Sequence, residues 1–198
     1  MNDLTSSLAK FGSWSKLDNC VCQCPIDYYE NKIPLNIVFL PQNADDILEY
    51  LEKSKISFDQ KTELFYEKYG GLRLFTGSLT FYGIVKEKTH AYLPSDIGKM
   101  NAMLRLRNDG WKDSFVSLGH YAEFEFCLDA KRSESSVLVV NRKNMNVVSF
   151  FQSLEEVVQY CISKLSPLYS ADGMLISNEK PDRRVWTQNI CYKNIFLK

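Results

Sequence analysis

The stretch from Ser114 to Phe151 constrains the fold more than any other part of the chain. It reads as four strand-like runs in succession, FVSLG, AEFEFCLD, SVLVVN and NVVSFF. In the second run Ala122, Phe124, Phe126 and Leu128 alternate with Glu123, Glu125 and Cys127. That is the period of two expected when one sheet face is buried, so the other face is predicted to meet water. Between the last two runs lies RKNMN around Asn144, a polar turn that joins an antiparallel pair.

Helical spacing surrounds this block. Asn43 precedes ADDILEYLEKSK, in which Ile47, Leu48 and Leu51 form a stripe and Asp45 and Asp46 occupy the first turn, where the helix dipole favours acids. Ser57 is the predicted N-cap of FDQKTELFYEKY, whose Phe58, Thr62, Phe65 and Tyr69 share a face and which Gly70 and Gly71 stop. LRLF and LTFYGI, separated by Thr76, Gly77 and Ser78, suit a hairpin. Pro94, Ser95 and Asp96 open a helix over IGKMNAMLRLRND that keeps Ile97, Met100 and Leu104 in register and closes at Gly110. Ser153 and Glu156 form a capping-box pair ahead of LEEVVQYCISKL, which Pro167 ends. The tail beyond it could add an edge strand or lie across the sheet.

The predicted class is therefore α+β: a mainly antiparallel sheet with helices packed on one face. No βαβ alternation with a glycine-rich phosphate loop is present, which argues against a doubly wound nucleotide-binding fold. A length of 198 residues suits one domain, and 45% hydrophobic residues supply its core without a metal or disulfide staple. Lys plus Arg and Asp plus Glu are 24 each. A dedicated nucleic-acid binder, which needs a basic surplus, is disfavoured. The N-terminal MNDLTSSLAKFGSW has no charged-then-apolar leader, and no stretch approaches the ~20 apolar residues of a membrane span. These features predict a cytoplasmic protein with no membrane association, whose cysteines 20, 22, 24, 127, 161 and 191 are reduced thiols.

The same sequence offers few residues for catalysis or metal binding. Cys20, Cys22 and Cys24 place three thiols on one face of an extended segment, but structural zinc takes four ligands, usually in paired motifs, so no metal and no cofactor is assigned. His90 and His120 neighbour aromatics and no nucleophile motif. A loop histidine packed on an aromatic is the simpler reading. Glu123 and Glu125 could divide acid and base roles, yet on an alternating strand they read as a solvated outer face. Asp129 reads as a turn-former. Lys99, Arg105, Arg107 and Lys112 concentrate positive charge near Trp111, and KPDRR does so near Trp186. Such residues serve phosphate contact and stacking, or a protein interface, or simply a cationic helix end.

The order of landmarks adds a resemblance. FYEKYGGLRLF, LTFYGI, a Trp-containing stretch, FVSLGHYAEFEFCLD, SVLVVN and NVVSFFQSLEEVVQYCISKL together resemble the SUKH superfamily over about residues 40–166, within a single SUKH-like domain of 1–198. Gly70 and Gly71 match the family's glycine step after its helix, Phe115 to Gly119 its strand ending in glycine, and Phe126 to Asp129 its strand closing in aspartate. Phe150 or Phe151 with Ser153, Leu154 and Glu155 matches the aromatic run into its last helix. The resemblance implies an α+β fold and, for bacterial members, a non-enzymatic immunity protein that binds and neutralises a cognate toxin domain in the cytoplasm. A fungal relative that regulates cell-wall glucan synthesis keeps a regulatory or scaffold role open, and an unrecognised enzyme is the third reading. The partner-binding candidates are Tyr121, Glu123 and Glu125 on the open sheet face, with Arg105, Arg107 and Trp111.

Overall fold

The structure is a computed structural model that describes residues 2–17, 19–28, 31–41, 43–84, 95–131 and 136–176. Among these residues nine strands form one sheet, each pairing antiparallel with the next in sequence: β1 (Trp14–Leu17), β2 (Cys20–Tyr28), β3 (Asn31–Phe39), β4 (Gly71–Leu74), β5 (Leu79–Phe81), β6 (Phe115–Tyr121), β7 (Phe124–Asp129), β8 (Val137–Asn141) and β9 (Val147–Phe151). The helices are α1 (Asn2–Ser7), α2 (Ala44–Ser54), α3 (Gln60–Lys68), α4 (Ile97–Arg107) and α5 (Leu154–Leu165). The α+β class read from the sequence is the class observed.

Local chemistry starts the helices as it should. Asn43 caps α2 by accepting from the Asp45 amide at 2.8 Å. Ser153 caps α5 by accepting from the Glu156 amide, while the Glu156 carboxylate reaches back to the Gln152 amide at 2.6 Å, one residue beyond the usual capping-box partner. The predicted Ser57 cap is corrected: α3 begins at Gln60 because Asp59, nearer the helix, accepts from the Thr62 amide at 2.8 Å. Leu48 is exposed, and Ile47 and Leu51 alone carry the α2 stripe.

The main core lies between the sheet and α1, α2, α3 and α5. Leu72, Leu74, Phe81, Phe126 and Val139 meet Ile47, Leu51, Phe65, Val157 and Cys161 there, and the Phe81 and Phe126 rings stack across β5 and β7 at 5.2 Å. The described residues before position 40, read as an extension to a core of about 40–166, contribute to this core. They add three strands and bury Leu4, Leu8, Phe11, Leu35 and Val38 in it. The alternation in β2 is broken by polar and cysteine residues, so period alone did not reveal it. Its buried Gln23 donates to the Leu8 and Gly12 carbonyls at 2.9 and 2.7 Å and accepts from Asn36 at 3.0 Å, which supplies the partners a buried amide needs.

The opposite sheet face is not left to water. Phe115, Cys127, Leu138 and Val140 bury a second cluster with Leu104 of α4 and Trp111. The expectation that Cys127 and Glu125 face solvent is thereby overturned. AEFEFCLD is also shorter as a strand than its alternation suggests: Ala122, at φ +53°, and Glu123 form the two-residue turn between Tyr121 and Phe124. Helix α4 is tied in at its N-terminal end. Gly83 and Ser95 to Ile97 exchange backbone hydrogen bonds, and the Tyr50 hydroxyl donates to Asp96 at 2.7 Å.

Candidate functional site

The second sheet face carries the protein's concentrated polar chemistry. Register places Arg73 opposite Thr80, Thr80 opposite His120, His120 opposite Glu125 and Glu125 opposite Val140, so five strands contribute one row. Glu125 is its centre, with its side chain 1% exposed. Its carboxylate pairs with the Arg142 guanidinium at 2.5 Å, accepts from the Ser117 hydroxyl, and accepts from the Tyr82 hydroxyl at 3.3 Å. The Tyr82 hydroxyl also lies 3.1 Å from Nδ1 of His120.

Burial governs the electrostatics here. Loss of water raises the Glu125 carboxyl above its ordinary range, against the opposing pull of Arg142 and the Ser117 and Tyr82 hydrogen bonds. Burial lowers His120 from 6.5 to about 4, assisted by the charges of Arg142 and Arg73, so His120 is a neutral ring near neutral pH. The Tyr82 hydroxyl is pushed up by burial and by Glu125. The arrangement therefore holds one ion pair and its hydrogen-bonding shell inside the sheet face. A shell of this kind holds the geometry of β6, β7 and the turn after β8.

The six sequence-derived binding candidates separate. Tyr121, Trp111 and Glu125 are buried and offer no side chain to a partner. Tyr121 lies in the main core and Trp111 in the second cluster, edge-on to Phe115 at 6.0 Å. Glu123 sits in the β6–β7 turn and pairs with Lys143 at 2.5 Å. Arg105 and Arg107 are exposed on the last turn of α4. His120 does pack on an aromatic, its ring 5.6 Å from Tyr82, but from strand β6 rather than a loop. His90, Cys191, Trp186 and the KPDRR segment lie outside the described residues, as does the side chain of Cys24.

Sequence reasoning missed the surface beside this row. Asn108, at the end of α4, donates to the Arg142 carbonyl at 3.1 Å and lies 3.3 Å from the Met145 sulfur, which docks the basic helix end against the β8–β9 turn. From that turn runs β9, an end strand whose far edge no described strand pairs. Val147, opposite Val140, is 42% exposed, and Phe150, opposite Leu138, is 65% exposed. The NVVSFF run signalled a strand but not which of its side chains would lack cover.

Among the described residues no three His, Cys, Asp or Glu side chains converge as metal ligands would. An open cavity of about 440 Å³ lies on the helical side, where α1, α3 and α5 meet, lined by Leu4, Ser7, Phe65, Lys68, Tyr69 and Glu155 among others. It is built from different elements than the Glu125 row. No helix of the described residues is long and apolar enough to cross a membrane.

Comparison with known proteins adds little to this geometry. No family model matches the chain, and no curated protein matches it in sequence. A crystal structure of a protein from Pseudomonas syringae pv. tomato is similar over 80% of this chain and 96% of its own, with a TM-score of 0.49 and 12% identity.

Proposed function

We propose that this protein is a non-catalytic protein-binding module of the immunity type, which occludes a toxin domain in the cytoplasm. The observation that carries the reading is the end of the sheet. Phe150 and Val147 stand exposed on an edge strand that carries no charge, and the turn that leads into it is where Asn108 docks the cationic end of α4 with Arg105 and Arg107. An aromatic anchor with a basic rim fits a partner whose contacting surface holds an apolar pocket edged by carboxylates. The SUKH-like order of landmarks supports the same reading. The Glu125 row, closed on itself by Ser117, Tyr82 and Arg142, then serves to hold the β8–β9 turn in place.

The test is calorimetric titration against a toxin domain encoded beside this protein's gene, with the wild type and Phe150→Asp. A complex that inhibits the toxin and weakens by at least about 30-fold (~2 kcal/mol) in the variant supports the proposal. No complex, or a complex indifferent to Phe150 and to Arg107→Glu, removes it.

A further inference from the structure

The C-x-C-x-C segment that the binding reading leaves unused has a definite geometry at its first two cysteines. Both lie on β2, two residues apart, so their side chains leave the same face of the strand. The sulfurs of Cys20 and Cys22 are 3.6 Å apart. Cys20 is buried with Ile37 and Phe39 in a small apolar cluster, and Cys22 packs against that cluster while remaining partly open to solvent. Neither is in a disulfide.

From this geometry we infer that Cys20 and Cys22 form a two-coordinate site for a soft monovalent metal ion of the Cu(I) class. Soft thiolate pairs select such ions over zinc or magnesium, and zinc would demand two further ligands. No third His, Cys, Asp or Glu completes such a set among the described residues. Two metal–sulfur bonds of ~2.3 Å span about 4.6 Å when collinear, which a modest rotation of the half-open Cys22 side chain supplies. The apolar floor of Ile37 and Phe39 offers no competing oxygen ligand and suits a low-coordinate complex. Binding releases both thiol protons to solvent, giving a bis-thiolate that carries one net negative charge. No electron is transferred.

The experiment is anaerobic titration of the reduced full chain with Cu(I) in competition with a chromophoric Cu(I) chelator, read by chelator absorbance, with copper-edge X-ray absorption on the loaded protein. The expected result is one equivalent held by two sulfurs. Cys22→Ala, at a half-open position that tolerates truncation, should weaken uptake by at least about 100-fold, the upper end of what losing even a supporting partner costs a metal site. The Cys127→Ala and Cys161→Ala variants should bind as wild type does. Failure to take copper from the chelator overturns the inference. So does uptake unchanged in Cys22→Ala, or uptake abolished by Cys24→Ala or Cys191→Ala while Cys22→Ala retains it.

Discussion

Asn101 on α4 and Ser117 on β6 exchange two hydrogen bonds: the Ser117 amide donates to Oδ1 of Asn101 at 2.7 Å, and Nδ2 of Asn101 donates to the Ser117 carbonyl at 2.8 Å. The side-chain amide stands where a neighbouring strand's backbone would be. Strand β5 pairs with Gly119 to Tyr121 of β6, and among the described residues no strand pairs the first half of β6 on that side. Asn101 closes that edge and in doing so fixes α4 against the sheet.

Replacing Asn101 by Leu should therefore cost about 2–4 kcal/mol, because the Ser117 amide and carbonyl become buried groups without partners. Urea unfolding of the variant measures this. A loss below about 1 kcal/mol would show that water or a shifted helix re-satisfies the strand.

A second stability effect depends on pH. His120 titrates near 4 in the folded protein against 6.5 for the free ring, so its contribution is fully present above pH 6.5 and is lost as pH falls toward 4. The gap corresponds to about 3 kcal/mol at most. Glu125, raised by burial, acts in the opposite sense: its contribution is present at low pH and lost as pH rises through its folded value. Between pH 6.5 and 4.5 the wild type should lose about 2–3 kcal/mol more than His120→Asn. Parallel stability profiles for the two proteins would contradict the buried neutral ring.

Gly119 is required by close approach. A Cβ at this position would stand 2.3 Å from the Thr80 carbonyl oxygen and 2.8 Å from the Phe81 Cα, both backbone atoms of β5. Gly119→Ala should destabilise by about 2–4 kcal/mol, since strand backbone cannot yield as a flexible side chain does. Thermal unfolding followed by circular dichroism reports it, and an unchanged midpoint would mean that β5 moves freely.

Two neighbours across β8 and β9 should behave oppositely. Leu138 is buried in the second cluster and Phe150, its register partner, is mostly exposed. Leu138→Ala should cost about 2–4 kcal/mol of stability, whereas Phe150→Ser should cost no more than about 0.5 kcal/mol. Denaturant titration of both variants checks the contrast. Equal losses would place Phe150 inside the core and remove it as a binding anchor.

Several elements were written locally. The caps Asn43, Asp96 and Ser153, the stop at Gly70 and Gly71, the turn around Asn144 and the strand runs from Phe115 onward depend on contacts within a few residues, so spacing and residue type reveal them. The α3 start slipped by two residues only because Ser57 and Asp59 both suit a cap. The candidate site was less legible. Glu125 follows the same alternation as a solvated carboxylate, and nothing near it in sequence announces Ser117, Tyr82 or Arg142 as partners.

The amino-acid order by itself determined the α+β composition and the antiparallel block, because period, capping and turn chemistry act over short distances. The tertiary structure decided which face of that block is wet. Contacts between residues 16 to 43 positions apart, from Asn101 to Ser117 and Tyr82 to Glu125, hold polar side chains buried that their local pattern would expose. They leave Phe150 uncovered, since burial depends on what the rest of the chain brings alongside.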